Sequence, residues 1–124
     1  MNMTRVIPGF FLLFFILGSP LVLADSRTAE MADIILHLNH HPSGAEKRTL
    51  REILNSDHAS KGERILAMAL LNMNHKVTPA DRAQLRELAQ DSAAPAAERE
   101  LAEILMNLNH KPSASAKERL KRLR

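Results

Sequence analysis

The feature that most constrains the fold is a gap-free repeat with a period of 35 residues. Its most conspicuous element is an Asn-His dipeptide that occurs three times at this spacing, as Asn39-His40, Asn74-His75 and Asn109-His110. Apolar residues and helix-cap residues on both sides of the dipeptide match at the same period. A fixed period of this size is typical of stacked helix–turn–helix units, none of which buries its apolar face alone.

Each unit carries two apolar stripes with helical spacing. In the first stripe of the first unit, Met31, Ile34, Ile35 and Leu38 recur at i, i+3, i+4 and i+7, which is one face of a helix. The second stripe is narrower. Together with Ser-x-x-Glu capping boxes and Pro residues at helix starts, the stripes predict six helices, over residues 28–38, 43–55, 60–73, 78–90, 95–108 and 113–123.

A comparison of the three units predicts how they stack. At two positions the middle unit has Ile65 and Met68, whereas both outer units have an acidic residue. A helix that is covered on both sides must be apolar on both, and terminal units need a polar outer face. We therefore expect a short right-handed α-solenoid in which the middle repeat is sandwiched and buries Ile65 and Met68.

A helix–turn–helix unit of about 35 residues resembles the layout of tetratricopeptide and HEAT repeats. The resemblance covers period and layout over the whole repeat region. The aromatic signature of the tetratricopeptide class is missing, because residues 25–124 contain no Phe, Tyr or Trp. Helical arrays of this kind imply an extended surface for binding another protein.

The N-terminal segment has the layout of a secretory signal peptide. One positive charge, Arg5, precedes an apolar run over residues 6–17, and Val22-Leu23-Ala24 places small residues before a cleavage site. An uncleaved membrane anchor is the alternative, but the unbroken apolar run falls short of the roughly 20 residues that a span needs. We expect residues 1–24 to be removed after Ala24 and the protein to be periplasmic or secreted.

The remaining residues, 25–124, are then predicted to form one α-helical repeat domain. Its repeats cover about 29–63, 64–98 and 99–124. The chain contains no Cys, which excludes disulfides, thiolate catalysis and cysteine-ligated zinc. A net charge of +3 is too small to indicate nucleic acid as a partner.

Enzyme signatures are also lacking. Only two glycines, Gly44 and Gly62, lie outside the predicted signal peptide, and they are too far apart to form a glycine-rich phosphate loop. No serine lies in a nucleophile elbow. We expect no catalytic residues and no cofactor.

The histidines of the three Asn-His dipeptides allow three interpretations. The string Asn-His-x-(Pro/Val)-(Ser/Thr) is typical of a turn between two helices, which would give the histidine a purely structural role. In this interpretation Asn ends the helix in the left-handed conformation, and His interacts with the negative end of the helix dipole. A metal site is the second interpretation. For units stacked in a row about 10 Å apart, however, His40, His75 and His110 would line a ridge and could not converge on one ion. Acid sensing is the third, since protonation would add charge and change stability.

A local histidine cluster is the better metal candidate from spacing alone. His37, His40 and His41 stand at i, i+3 and i+4, which brings imidazoles together on one helix face.

Protein binding is the function that the repeat pattern favours, in the bacterial envelope or outside the cell. The candidate interaction surface comprises Asn72, His75, Lys76, Asn107, His110 and Lys111. A basic tail indicates docking to an anionic membrane or an acidic partner, and comprises Lys117, Arg119, Lys121, Arg122 and Arg124. The alternative function is binding of copper, nickel or zinc through His and Met.

Overall fold

A computed structural model describes residues 25–124 of the chain. The predicted signal peptide, residues 1–24, lies outside the described residues. The described part is all-α, with six helices and no named strand. They are α1 (Ser26–Leu36), α2 (Gly44–Asn55), α3 (Lys61–Asn72), α4 (Pro79–Gln90), α5 (Ala96–Met106) and α6 (Ala114–Leu123). The six predicted helices are confirmed, with ends that differ by at most two residues. Among these helices, none combines the length and the apolar character that crossing a membrane requires.

The helix starts follow from local cap chemistry. Ser43 and Ser60 each form a complete capping box with the Glu three residues later. Thr78 caps α4, and its hydroxyl accepts from the Asp81 N–H at 3.1 Å. Pro95 is the exception, because it occupies the N-cap of α5 and makes no side-chain cap bond.

The three units close into a ring. The first helices of the units, α1, α3 and α5, contact one another in all three pairs. Each second helix packs against the first helix of the following unit, so α2 lies on α3 and α4 lies on α5. The last helix, α6, returns to pack against α1. The predicted open solenoid is therefore wrong, because the first and last units are in contact and neither has an uncovered end.

The core lies between the three first helices and the helices that cover them. Met31, Ile35, Leu66, Leu70, Leu101 and Leu105 are fully buried on the first helices. The repeat-equivalent residues Leu50, Leu85 and Leu120 are fully buried on the second helices. Burial of each such side chain contributes on the order of 1.5–3 kcal/mol.

Ring closure also overturns the predicted sandwich. Met68 is 39% exposed and Ile65 is only partly buried. Their repeat positions carry acidic side chains in the other units, among them the exposed residues Asp33 and Glu103. In a closed ring no unit is central, so the same helix face points outward in all three.

Candidate metal centre

A closed ring of backbone hydrogen bonds joins the three turns that follow α1, α3 and α5. The His75 N–H donates to the His40 carbonyl at 2.9 Å, and the His110 N–H donates to the His75 carbonyl at 2.8 Å. The His40 N–H completes the ring by donating to the His110 carbonyl at 2.7 Å. Partners 35 or 70 residues apart thus place the three turns around one axis.

All three histidines adopt an uncommon backbone conformation. Their φ angles are 73°, 71° and 71°, and they are the only non-glycine residues with positive φ in the described part of the chain. In the first unit the turn is three residues long, with the His41 N–H donating to the Asn39 carbonyl at 2.9 Å. Non-glycine residues at positive φ cost of order 1–3 kcal/mol when strained, and such residues cluster at functional sites.

The left-handed residue is the histidine and not the asparagine that precedes it. In the first and last units, the carbonyl oxygen of that asparagine accepts a backbone hydrogen bond from the N–H two residues later. The next residue then turns its own N–H and carbonyl sideways, toward the neighbouring units. Histidine tolerates this conformation better than most residues do. Buried Pro42, Val77 and Pro112 follow two positions later and direct the chain into the next helix.

The three imidazoles pack against one another at the centre of this ring. Their centroids lie 4.8 Å apart for His40 and His75, 5.1 Å for His40 and His110, and 4.6 Å for His75 and His110. One ligand nitrogen from each ring lies within 4.8 Å of the others. The side chains are exposed, so an ion could reach them from solvent.

Hydrogen bonds constrain the protonation of these rings. Nδ1 of His40 and Nδ1 of His75 are 3.0 Å apart, so one of them donates and the other accepts. Nδ1 of His110 lies 2.7 Å from the side-chain oxygen of Asn109. Because an amide oxygen only accepts, that bond requires a proton on Nδ1 and leaves Nε2 of His110 for a metal.

The ring disfavours protonation of His75. Desolvation by the packed neighbours lowers the pKa of His75, and the charges of His110, His40 and His41 lower it further. A metal binds the neutral imidazole, so a lowered pKa keeps this ligand available at neutral pH.

This geometry can accommodate a metal ion. Zinc lies 2.0–2.1 Å from histidine nitrogens, so three corners of a tetrahedron are roughly 3.3 Å apart. The ligand nitrogens of the three rings lie within 4.8 Å of one another, so side-chain rotations would bring them to this spacing.

The structure does not assemble the predicted local cluster. Nδ1 of His37 lies 3.0 Å from the Asp33 carbonyl, and Nδ1 of His41 lies 3.0 Å from the Pro42 carbonyl. Among residues 25–124, the group of three histidines that could hold a metal ion is His40, His75 and His110, one from each repeat. The prediction that these three histidines could not converge on one ion is wrong, because it required units stacked in a row. The recurrence of His every 35 residues is visible in the sequence. It indicates a shared metal site only because the three units close into a ring.

The residues of the predicted interaction surface are exposed, and its two asparagines, like its two histidines, form hydrogen bonds within the chain. Asn72 donates to Asp81 at 3.0 Å, and Asn107 donates to the Glu103 carbonyl at 3.0 Å. Lys76 and Lys111 directly follow two of the ring histidines.

Three of the five cations of the predicted basic tail form ion pairs. Arg119 binds Glu100 at 2.7 Å and Glu103 at 3.0 Å. Lys121 binds Glu118, and Arg124 binds Asp33 of α1 at 3.1 Å. The last of these pairs joins the final helix to the first. Much of the tail's charge is thus compensated within the chain, and docking to an anionic surface stays a prediction.

Comparisons with protein-family models, with curated proteins and with solved structures found no match.

Proposed function

We propose that this protein binds one divalent transition-metal ion through His40, His75 and His110. The observation that carries the proposal is the ring itself, in which three left-handed turns direct three imidazoles to one point. A purely structural role in the turns does not require the convergence of the three rings. Three neutral imidazoles are a ligand set that suits zinc, copper and nickel.

Zinc fits the arrangement best. Three ligands around one axis supply three corners of a tetrahedron, whereas divalent copper and nickel favour ligands in a square plane. Copper still competes through its higher intrinsic affinity for nitrogen ligands. With three protein ligands the fourth position is open to water or to a second molecule, which is compatible with reversible binding. The predicted signal peptide would place this activity in the bacterial periplasm or outside the cell.

Calorimetric titration of the purified protein with Zn²⁺, Cu²⁺ and Ni²⁺ at pH 7.5 tests the proposal. We expect one ion per chain and a dissociation constant tighter than about 10 μM for zinc. His110→Asn should weaken binding more than about tenfold, since it removes a direct ligand. Asn is the appropriate replacement because it tolerates positive φ and preserves the turn.

The matched control is the double variant His37→Asn/His41→Asn. It removes two imidazoles near the ring without touching the three proposed ligands, so it should bind zinc like the wild type. Binding weaker than about 0.1 mM, or a control variant that loses binding as His110→Asn does, would contradict the proposal.

Protein binding is the second candidate function, and one observation favours it. Met68 is the large apolar side chain that the described residues leave exposed. Together with Leu54 and Ile65 it lines a surface cavity of about 300 Å³, beside Lys61 and Arg64. This surface fits a partner segment that places an apolar side chain next to a carboxylate.

Pull-down from an envelope extract, followed by reconstitution with the purified partner, tests this second function. A genuine partner should bind the wild type and not Met68→Glu. Binding that is equal for both proteins would exclude this surface, and His75→Asn with Lys76→Ala would then test the predicted surface near the ring.

A further inference from the structure

A second cluster of side chains occupies the opposite ends of the three first helices, one helix length of roughly 16 Å from the histidine ring. Its centre is a repeat position that is Thr28 in α1, Glu63 in α3 and Glu98 in α5. All three side chains are buried, with exposed fractions of 1%, 0% and 3%. Two buried carboxylates in one cluster require partners.

Glu63 has a complete set of partners. The Arg27 guanidinium donates through Nε to Oε1 at 2.9 Å, and the Ser60 N–H donates to the same oxygen at 2.9 Å. The Thr28 hydroxyl donates to Oε2 at 3.0 Å. Arg27 also donates through Nη2 to the His58 carbonyl at 3.0 Å. The carboxylate is therefore compensated by a cation from the preceding unit.

Glu98 lacks the equivalent partners. Its Oε2 accepts from the Ser60 hydroxyl at 2.9 Å, while no described residue donates to Oε1. The backbone donor is missing because Pro95 occupies the position of Ser60 and has no N–H. The guanidinium is missing because Gly62 occupies the position of Arg27.

A cavity of about 440 Å³ lies where that guanidinium would be. Glu98 and Gly62 line it, and a Cβ atom built on Gly62 would collide with Oε1 of Glu98. The glycine thus leaves the carboxylate accessible from the cavity. Ala93, the repeat counterpart of His58, also lines it, so repeat equivalence predicts a carbonyl acceptor on the same side.

The charges around the cavity favour a cation. Glu87 and Asp91 line it together with Glu98, against one basic residue, Lys61. Burial raises the pKa of Glu98, and the nearby carboxylates of Glu63 and Asp25 raise it further, although the Ser60 bond acts in the opposite direction. A cation in the cavity would relieve both the desolvation and the repulsion.

We propose that this cavity binds an alkylguanidinium group, which donates to Oε1 of Glu98 as Arg27 does to Glu63. Leu88 and Ile65 line the cavity and would contact the alkyl chain. The group could belong to a small molecule or to an arginine side chain of a peptide, since both present the same chemistry. The site is separate from the histidine ring and does not depend on metal binding.

Titrations followed by amide NMR test the site with three probes: agmatine, a capped Gly-Arg-Gly peptide and putrescine. We expect saturable shifts at the amides of Leu88 and Ala94 with agmatine, at a dissociation constant of about 1 mM or tighter. Putrescine, which has the same charge as agmatine but an ammonium in place of the guanidinium, should bind more weakly, because an ammonium cannot bond two acceptors in the planar geometry of a guanidinium. Binding of the peptide would indicate an arginine side chain as the ligand, and binding of agmatine alone would indicate a small molecule.

Glu98→Gln should weaken agmatine binding at least about tenfold, since the amide keeps the shape and removes the charge. Glu52→Gln, on the exposed face of α2, makes the same change in charge away from the cavity and should bind normally. The proposal is overturned by the absence of saturable binding to the wild type, by Glu98→Gln binding as the wild type does, or by putrescine binding as tightly as agmatine.

Discussion

The His75 N–H donates to the carbonyl oxygen of His40 at 2.9 Å, and their Nδ1 atoms are 3.0 Å apart. Equivalent positions in successive repeats are therefore in direct contact through both backbone and side chain. Units stacked in a row about 10 Å apart could not make such a contact. It is possible here because the three turns surround one axis, and it turns a recurring dipeptide into a candidate metal site.

Closure of the ring predicts that equivalent core substitutions have similar costs in all three units. Leu50→Ala, Leu85→Ala and Leu120→Ala each create a cavity at a fully buried position and should each cost about 2–5 kcal/mol in urea unfolding. In an open stack, Leu120 in the terminal helix would be the least costly. If Leu120→Ala lowers the free energy of unfolding by less than about half as much as the other two substitutions do, the result would contradict ring closure.

The positive φ of His75 predicts a ranking of substitutions at that position. His75→Val should have a free energy of unfolding about 1–2 kcal/mol lower than that of His75→Asn in urea unfolding. The reason is that a β-branched residue is strained in this conformation and Asn is not. The same two substitutions at exposed His58, whose φ is not positive, provide the control. If the ranking at His58 is the same as at His75, the difference does not arise from backbone conformation.

The lowered pKa of His75 predicts the direction in which the stability of the metal-free protein changes with pH. Because the folded state binds this proton less readily than the unfolded state, the stabilising contribution is complete above the ordinary value of 6.5. It is lost as the pH falls through 6.5 toward the folded pKa. This is opposite to the sign expected if helix dipoles raised the pKa of these histidines.

Unfolding midpoints between pH 8 and pH 5.5 measure the effect. Glu98, with its raised pKa, contributes in the opposite direction, so the informative quantity is the difference between the wild type and His75→Asn. That difference should shrink as the pH falls. A difference that is constant or that grows would show that His75 is not harder to protonate in the folded protein.

The two buried glutamates should respond differently to neutralisation. Glu63→Gln removes the partner of the Arg27 guanidinium and should cost about 1–3 kcal/mol. Glu98→Gln removes a carboxylate that lacks a cationic partner among the described residues, and should be neutral or stabilising. Urea unfolding at pH 7.5 measures both. Equal destabilisation by the two substitutions would contradict the different environments assigned to them.

The sequence predicted the elements of this fold better than their arrangement. Helical periodicity and the caps at Ser43, Ser60 and Thr78 are local, so six helices could be placed to within two residues. Closure depends on the contact of α6 with α1, and no local pattern reports it. The apolar character of Ile65 and Met68 was misleading, since it suggested burial where the structure has a partly exposed face.

The candidate metal site could be predicted only in part, for the same reason. The recurrence of His40, His75 and His110 could be read from the sequence, while their convergence follows from the ring. The cavity beside Glu98 arises from the packing of α3, α4 and α5 and not from a local sequence pattern. It depends on Gly62, the repeat counterpart of Arg27, and on Pro95, the repeat counterpart of Ser60.

The most direct test of the account is an imidazole nitrogen NMR spectrum recorded during addition of Zn²⁺. Up to one equivalent, we predict that the ring nitrogens of His40, His75 and His110 shift together while those of His37, His41 and His58 stay unchanged. Shifts of His37 or His41 that accompany His40, or the absence of any shift at one equivalent, would contradict convergence of the three repeats on one ion.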